Sequence, residues 1–210
     1  MPRNWLEPAL ISIPSDFAAA VAGHPLVAQT LFRRGLQDIH AMHGFIDPSC
    51  YQPASPLELP DMEVGVALIT EAIQTGRLIC VWGDFDVDGQ TATALLVTAL
   101  RRLNAHVIYH IPVRSRETHG ISVPILQEYI HQGIGLLLTC DTGIAAHQAI
   151  LLARQYDLPV IITDHHELPA ELPKAQAIIN PKRLSPDHPL YTLPGVGVAY
   201  KLTEALYTTH

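Results

Sequence analysis

Residues 78–89 read Leu78-Ile79-Cys80-Val81-Trp82-Gly83-Asp84-Phe85-Asp86-Val87-Asp88-Gly89. Five apolar residues in succession suit a buried strand, and the glycine-flanked acidic turn after them ends it. Beyond the turn, Ala92, Leu95, Leu96, Ala99, Leu100 and Leu103 recur at helical spacing. The stretch therefore predicts strand, turn and helix. A strand that is apolar at every position is covered on both faces, as in parallel sheets flanked by helices.

The alternation continues on both sides. Met62, Val66, Ile69 and Ile73 mark a helix that Gly76 stops. Val107–Ile111, Ile134–Thr139 and Val160–Thr163 read as strands, and Ala177–Ile179 as a short one. Helices are expected over Val123–His131, through Ala146, Ala149, Ile150 and Ala153, and from Gly197 to Tyr207. Residues 61–210 thus predict an α/β fold, doubly wound, with a mainly parallel sheet flanked by helices. Residues 1–60 differ. Eight prolines cut them into short pieces, and His24–Met42 has room for one or two short helices with Gly35 as punctuation. This reads as an irregular helical N-terminal lead-in.

Composition narrows the classes. At 210 residues, 48% hydrophobic and 16% charged, the chain suits a sizeable folded domain and not a disordered one. No apolar run approaches the ~18 residues of a membrane span. The N-terminus lacks the order of charge, apolar stretch and small residues of a signal peptide. Cys50, Cys80 and Cys140 are scattered and odd in number, which fits neither a disulfide framework nor a zinc ribbon. A cytoplasmic protein without a membrane partner is expected. The net charge of −7 taken alone disfavours nucleic acid. Five of the carboxylates, however, fall in the pattern described next, and without them the balance is close to neutral.

Three expected strands end in chemistry-bearing residues: Asp84, Asp86 and Asp88 after the first, Asp141 before Thr142-Gly143, and Asp164-His165-His166. Parallel strands bring these ends to one edge, where ligands collect in doubly wound sheets. Carboxylates and imidazoles gathered there repel one another unless a cation lies between them. Hard oxygen with imidazole nitrogen suits Mn²⁺, with Mg²⁺, Fe²⁺ and Zn²⁺ as alternatives. Four or more anionic donors exceed the need of one ion and suit a two-metal site, which serves hydrolysis at phosphorus. Competing readings fit less well. An EF-hand needs Glu where Leu95 stands. A haloacid-dehalogenase-type nucleophile loop leaves His165 and His166 without a task. Leu193-Pro194-Gly195-Val196-Gly197 has the wording of a DNA-binding hairpin but follows a proline-rich loop, so it reads as a helix-entry turn. Arg114 and Arg116 stand where they could grip phosphate. The histidines other than His119, His165 and His166 show no ligand-like spacing.

The run Gly-Asp-Phe-Asp-Val-Asp-Gly, then Asp-Thr-Gly, Asp-His-His and Asn180-Pro181, resembles the DHH phosphoesterase superfamily. The lead-in (His24-Pro25-Leu26, Arg34-Gly35), Pro112-x-Arg114, His119-Gly120-Ile121-Ser122 and Pro194 to Ala199 resemble its RecJ branch of single-strand-specific 5′→3′ DNA exonucleases. The resemblance implies Mn²⁺ or Mg²⁺ in a two-metal site. Its ligands would be Asp86, Asp88, Asp141 and His165, with Asp84 a ligand or close partner. His166 would face the scissile phosphate or orient the site, and Arg114 and His119 would lie along the substrate path. The implied activity is metal-dependent hydrolysis of single-stranded DNA to mononucleotides in repair and recombination, with replication and repair proteins as candidate partners. Alternatives are a phosphodiesterase for short oligonucleotides or cyclic dinucleotides, and a non-catalytic scaffold. Phe85 and His119 replace tyrosines of the pattern, and Thr142 replaces an asparagine. The pattern also has a later aspartate ligand and a second domain beyond the Pro-Gly-Val-Gly turn. Residues 61–210 are therefore expected to be an incomplete DHH domain, weakly active or inactive alone.

Overall fold

The computed structural model describes residue 6 and residues 8–117 and 119–209. The signal-peptide reading at residues 1–5 and 7, and His210, lie outside them. The chain divides into two compact units, Met1–Pro53 and Ala54–His210.

In the first unit, helices α1 (Ser15–Val21), α2 (Pro25–Arg33) and α3 (Ile39–Ile46) close over Phe17, Ala28, Leu31 and Met42. Pro25 takes the first position of α2, where a missing amide costs nothing, and the His24 side chain caps the Leu26 amide. Gly35, at φ 86°, turns the chain between α2 and α3. Where the prolines suggest one or two helices over His24–Met42, the structure has two, the second running on to Ile46. It has a further one, α1, before them.

The second unit carries α4 (Met62–Gln74), β1 (Leu78–Trp82), α5 (Val87–Arg102), β2 (Val107–His110), α6 (Val123–His131), β3 (Ile134–Cys140), α7 (His147–Gln155), β4 (Val160–Thr163), β5 (Ala177–Ile179) and α8 (Gly195–Thr209). The strands lie in the order β2-β1-β3-β4-β5, and every neighbouring pair is parallel. The expected α/β fold is the one observed.

Alternate strand residues enter two cores. Ile79 and Val81 of β1, with Leu136 and Leu138 of β3, meet α4, α5 and α8 on one face. Cys80, Trp82 and Leu137 meet α6 and α7 on the other. This two-sided burial is why the strands are apolar without interruption. The chain leaves β1 for β2 on one side and returns to β3 on the other. A crevice therefore opens at the carboxyl ends of β1 and β3, the ligand position of such sheets.

Candidate metal centre

The loop after β1 is held by its own carboxylates. Asp84 Oδ1 accepts from the Phe85 amide at 2.7 Å, and Asp86 Oδ1 caps α5 through the Gly89 amide at 2.9 Å. Helix α5 starts at Val87, inside the acidic motif, which rules out an EF-hand loop there. Asp88 has a different partner. Its Oδ2 accepts from the Gly195 amide at 2.7 Å and its Oδ1 from the Val196 amide at 2.6 Å. This cap starts α8 at Gly195, two residues before the expected start at Gly197.

After β3 the backbone turns sharply, with Asp141 at φ 58° and Gly143 at φ 111°. Aspartate tolerates this left-handed conformation better than most residues. Asp141 is 1% exposed, and its Oδ1 has no hydrogen-bond partner among the described residues. His165 Nε2 stands 3.1 Å from that oxygen without the alignment of a hydrogen bond, and 3.6 Å from Asp88 Oδ2. One potential donor atom each from Asp141, His165 and His166 lies within 4.8 Å of the other two.

Burial pushes the Asp141 carboxyl above its ordinary range. The His165 contact opposes that, and the charges of Asp88 and Asp86 add to it. The same contact with Asp141 raises His165, against the opposing effect of burial. A buried carboxylate oxygen without a donor, beside an imidazole and further carboxylates, is electrostatically unsatisfied. Its donor chemistry fits a hard divalent cation such as Mn²⁺ or Mg²⁺.

Asp164 ties the loops together. It is 1% exposed. Its Oδ1 accepts from the His165 amide, the His166 amide and His166 Nδ1, and its Oδ2 from the Ile144 amide in the loop after β3. Burial pushes its carboxyl up, but these bonds outweigh burial and hold it below the ordinary range. The Asp164 hydrogen bond lifts His166 to about 9 and leaves the Nε2 side of the ring for the cleft. Asn180, fully buried, donates from Nδ2 to the His166 carbonyl at 3.0 Å. The sequence reading placed Asp164 and Asn180 inside motifs without giving either an individual role. Their positions directly after β4 and β5 were the available signal.

A cleft of about 780 Å³ is lined by Asp84, His119, Asp141, Asp164, His147 and His166, among others. His147, read from sequence as an ordinary histidine, is thus a cleft residue at the start of α7. Arg114 does not reach the carboxylates. Its guanidinium lies 5.0 Å from the centre of the Phe85 ring. His119 packs on the same ring at 4.4 Å, with Nδ1 3.7 Å from Asp84 Oδ2. Asp84, Asp141, His119 and His166 therefore share one cleft, Asp88 and His165 adjoin it, and Asp86 acts on Asp141 through its charge.

The Asp164–His166 pair predicts a pH dependence of the metal-free chain. His166 is raised on folding, so its charge stabilises the fold fully below about 6.5, and this contribution is lost as pH rises through about 9. The melting-temperature advantage over His166→Asn should shrink across that window. The ring is half exposed, so the effect is small, about 0.5 kcal/mol. An advantage that grows with pH would contradict the pairing.

Comparison with known proteins agrees with this arrangement. The family described as "DHH family, N-terminal domain" matches residues 78–210. The chain is 37% identical over 182 residues to the single-stranded-DNA-specific exonuclease RecJ of Bacillus subtilis (strain 168), covering 87% of this chain and 23% of that protein. It is 41% identical over 153 residues to RecJ of Escherichia coli (strain K12), covering 72% and 26%. Among solved structures it is similar to RecJ in complex with Mn²⁺ from Thermus thermophilus. There the TM-score is 0.76 at 30% identity, over 95% of this chain and 28% of that one. The chain spans about a quarter of the length of these relatives. The match spans all five strands and the three loops that carry the carboxylates and histidines, and the chain belongs to the DHH family.

Proposed function

We propose that this chain supplies the metal centre for hydrolysis of phosphodiester bonds in single-stranded DNA, releasing nucleotides from a 5′ end in the cytoplasm. The observation that carries the reading is the buried Asp141 oxygen, without a donor among the described residues, facing His165 where the order of strands reverses. The naming of similar proteins as single-stranded-DNA-specific exonucleases supports the substrate class.

Asp84, Asp86, Asp88, Asp141 and His165 would hold the divalent cations, Mn²⁺ or Mg²⁺. Bound there, such ions supply Lewis acidity toward phosphoryl oxygens and lower the pKa of water. The chain's own residues do the rest. Asp164 keeps the His166 ring oriented and protonated on Nδ1, so that at neutral pH an imidazolium faces the cleft. That ring would donate from Nε2 to a phosphate oxygen. Phe85, flanked by the Arg114 guanidinium and the His119 ring, offers an aromatic surface beside the acidic site. A base can stack there while its phosphate meets the guanidinium.

Degradation of 5′-labelled and 3′-labelled single strands by the intact protein, with Mn²⁺ present or chelated, tests the activity. Labelled mononucleotide released early from the 5′ end only, and only with metal, is the expected result. Metal-independent cleavage would sink the reading. A second expected result concerns binding. His165 must be neutral to bind a cation, and Asp141 holds its pKa above the usual 6.5. Mn²⁺ affinity should therefore begin to fall at a higher pH than an ordinary histidine would give, by up to about tenfold for each further pH unit. Calorimetric titration at several pH values checks this, and a flat response would remove His165 from the site.

A further inference from the structure

A second cluster of polar side chains stands at the end of β2, apart from the carboxylates of the metal centre. His110 closes that strand. Its carbonyl accepts from the Gly83 amide at 2.9 Å, which fixes its backbone beside the start of the acidic loop. Its ring packs on the fully buried Trp82 at 4.2 Å and meets Tyr129 edge-on at 5.7 Å. His110 Nε2 lies 2.8 Å from Glu117 Oε2, and both side chains are only 13% exposed. Burial raises the Glu117 carboxyl, but the Val113 amide and the His110 ring outweigh it and hold the group below its ordinary range. The ionised carboxylate only accepts, so His110 carries a proton on Nε2 and donates it. The other oxygen, Oε1, accepts from the Val113 amide at 3.0 Å. The amides of Arg116 and Glu117 in turn donate to the Val113 carbonyl at 2.8 and 2.9 Å. Residues 113–117 thus form a closed turn, anchored through one carboxylate to the end of a strand. Arg114 stands inside this turn, with its guanidinium 5.0 Å from the centre of the Phe85 ring.

We propose that the His110–Glu117 pair is a positioning device for substrate: by closing the 113–117 turn on the end of β2, it holds the Arg114 guanidinium over Phe85. The pair itself touches no reacting atom. Arginine has a long, flexible side chain, and a cation–π contact at an exposed site is weak. The backbone beneath Arg114 must therefore be fixed if its charge is to stay in one place. The use of Arg114 toward phosphate rests on the function proposed above, whereas its placement by the pair does not. The bare charge of Glu117 would have the opposite effect. An anion beside the path repels a nucleic-acid chain, so its removal alone would tighten binding. Positioning predicts a loss.

The test compares Glu117→Ala, His110→Phe and Arg114→Ala in the full 210-residue chain. His110→Phe keeps a ring against Trp82 and loses the bonds of the imidazole. Nuclear Overhauser contacts between Arg114 and the Phe85 ring read the placement without any substrate. Glu117→Ala should lose them and His110→Phe should weaken them. Contacts at full strength in both variants would overturn the proposal. Binding of a 5′-phosphorylated oligothymidylate, with metal chelated so that nothing is hydrolysed, reads the consequence. Glu117→Ala should weaken it about tenfold, the scale of one hydrogen bond to a charged group, and His110→Phe should act in the same direction. The log–log salt dependence should flatten by about 0.7, the share of one phosphate contact on a single strand. Arg114→Ala should do the same, and adding Glu117→Ala to it should cost nothing more, because the two act as one unit. Tighter binding by Glu117→Ala, or a further loss in the double variant, would show that the carboxylate acts by its charge or elsewhere, and would overturn the proposal. Mn²⁺ affinity should stay within about twofold, as for independent sites. A fall in Mn²⁺ affinity as large as that in oligonucleotide affinity would mean general damage to the site and overturn it as well. If Glu117→Ala fails to fold, His110→Phe carries the same measurements. If the unmodified chain binds no oligonucleotide, with Mn²⁺ or without it, the single-strand reading alone falls, and the Arg114–Phe85 contacts still decide the placement.

Discussion

Replacing Asp141 by asparagine should raise the melting temperature of the metal-free chain and abolish tight Mn²⁺ binding. The two effects share one cause. The Asp141 carboxyl is 1% exposed with an oxygen to which none of the described residues donates. Burial raises its pKa, so the folded state disfavours the charged form. At neutral pH the ionised group therefore subtracts from stability, and the penalty disappears as pH falls below the unfolded carboxyl range near 3.8. Asparagine has the same shape, carries no charge and tolerates the left-handed backbone at φ 58°. A gain of about 0.5–2 kcal/mol is expected, the scale of a substitution that relieves a strained functional site. At about 2–4 °C per kcal/mol for a chain of this size, that is a few degrees at neutral pH and nothing in acid. The loss of Mn²⁺ affinity should be on the order of 100-fold or more, since outer partners of a metal site already cost about 10–100-fold. Thermal unfolding with and without Mn²⁺ reads both effects in one series. A variant that is less stable and still binds Mn²⁺ normally would show that the bare oxygen is not a cation site.

The second large effect is expected at Gly89, in the first turn of α5. Helix propensity alone favours alanine there by about 1 kcal/mol. The surroundings oppose it. A Cβ at this position would lie 2.6 Å from the backbone nitrogen and oxygen of Asp84 and 2.7 Å from its Cα. These are main-chain atoms of the loop that presents the acidic residues, and no rotamer change can clear them. Overpacking against a rigid neighbour costs about 1–3 kcal/mol and sometimes more. Against main-chain atoms the cost belongs at the upper end of that range, so with the propensity gain subtracted Gly89→Ala should lose about 2 kcal/mol, lowering the melting temperature by about 4–8 °C. Because the Asp84 loop must move, Mn²⁺ affinity should fall at least about tenfold as well. A rise in melting temperature would mean that the close approach of helix and loop carries no weight.

Much of the fold was legible because burial on two faces leaves a strong trace. Ile79 and Val81 face one core and Cys80 and Trp82 the other, so β1 can carry no polar residue along its length. The loops were legible for the opposite reason. Asp84, Asp141 and His165 are polar residues placed where an apolar strand has just ended, and packing alone does not call for them. Neighbours in space but not in sequence were harder to read. Asp164 stood inside a recognised motif, yet its role comes from the Ile144 amide 20 residues earlier. Arg114 was expected to hold substrate, and its stacking on Phe85 depends on the path of the loop after β2. His147 entered the cleft only because α7 begins at that edge of the sheet.

The sequence by itself determined the alternation of strands and helices, the parallel sheet and the residues that gather at its carboxyl edge. Those properties follow from periodicity and from the chemistry of single side chains, which any stretch of chain carries with it. Only the tertiary structure decided that Asp141 is left without a donor among the described residues, that Asp164 joins two loops and that Asp88 caps a helix more than a hundred residues away. Each of these is a relation between groups, and distance in space exists only after the sheet has set the strand order.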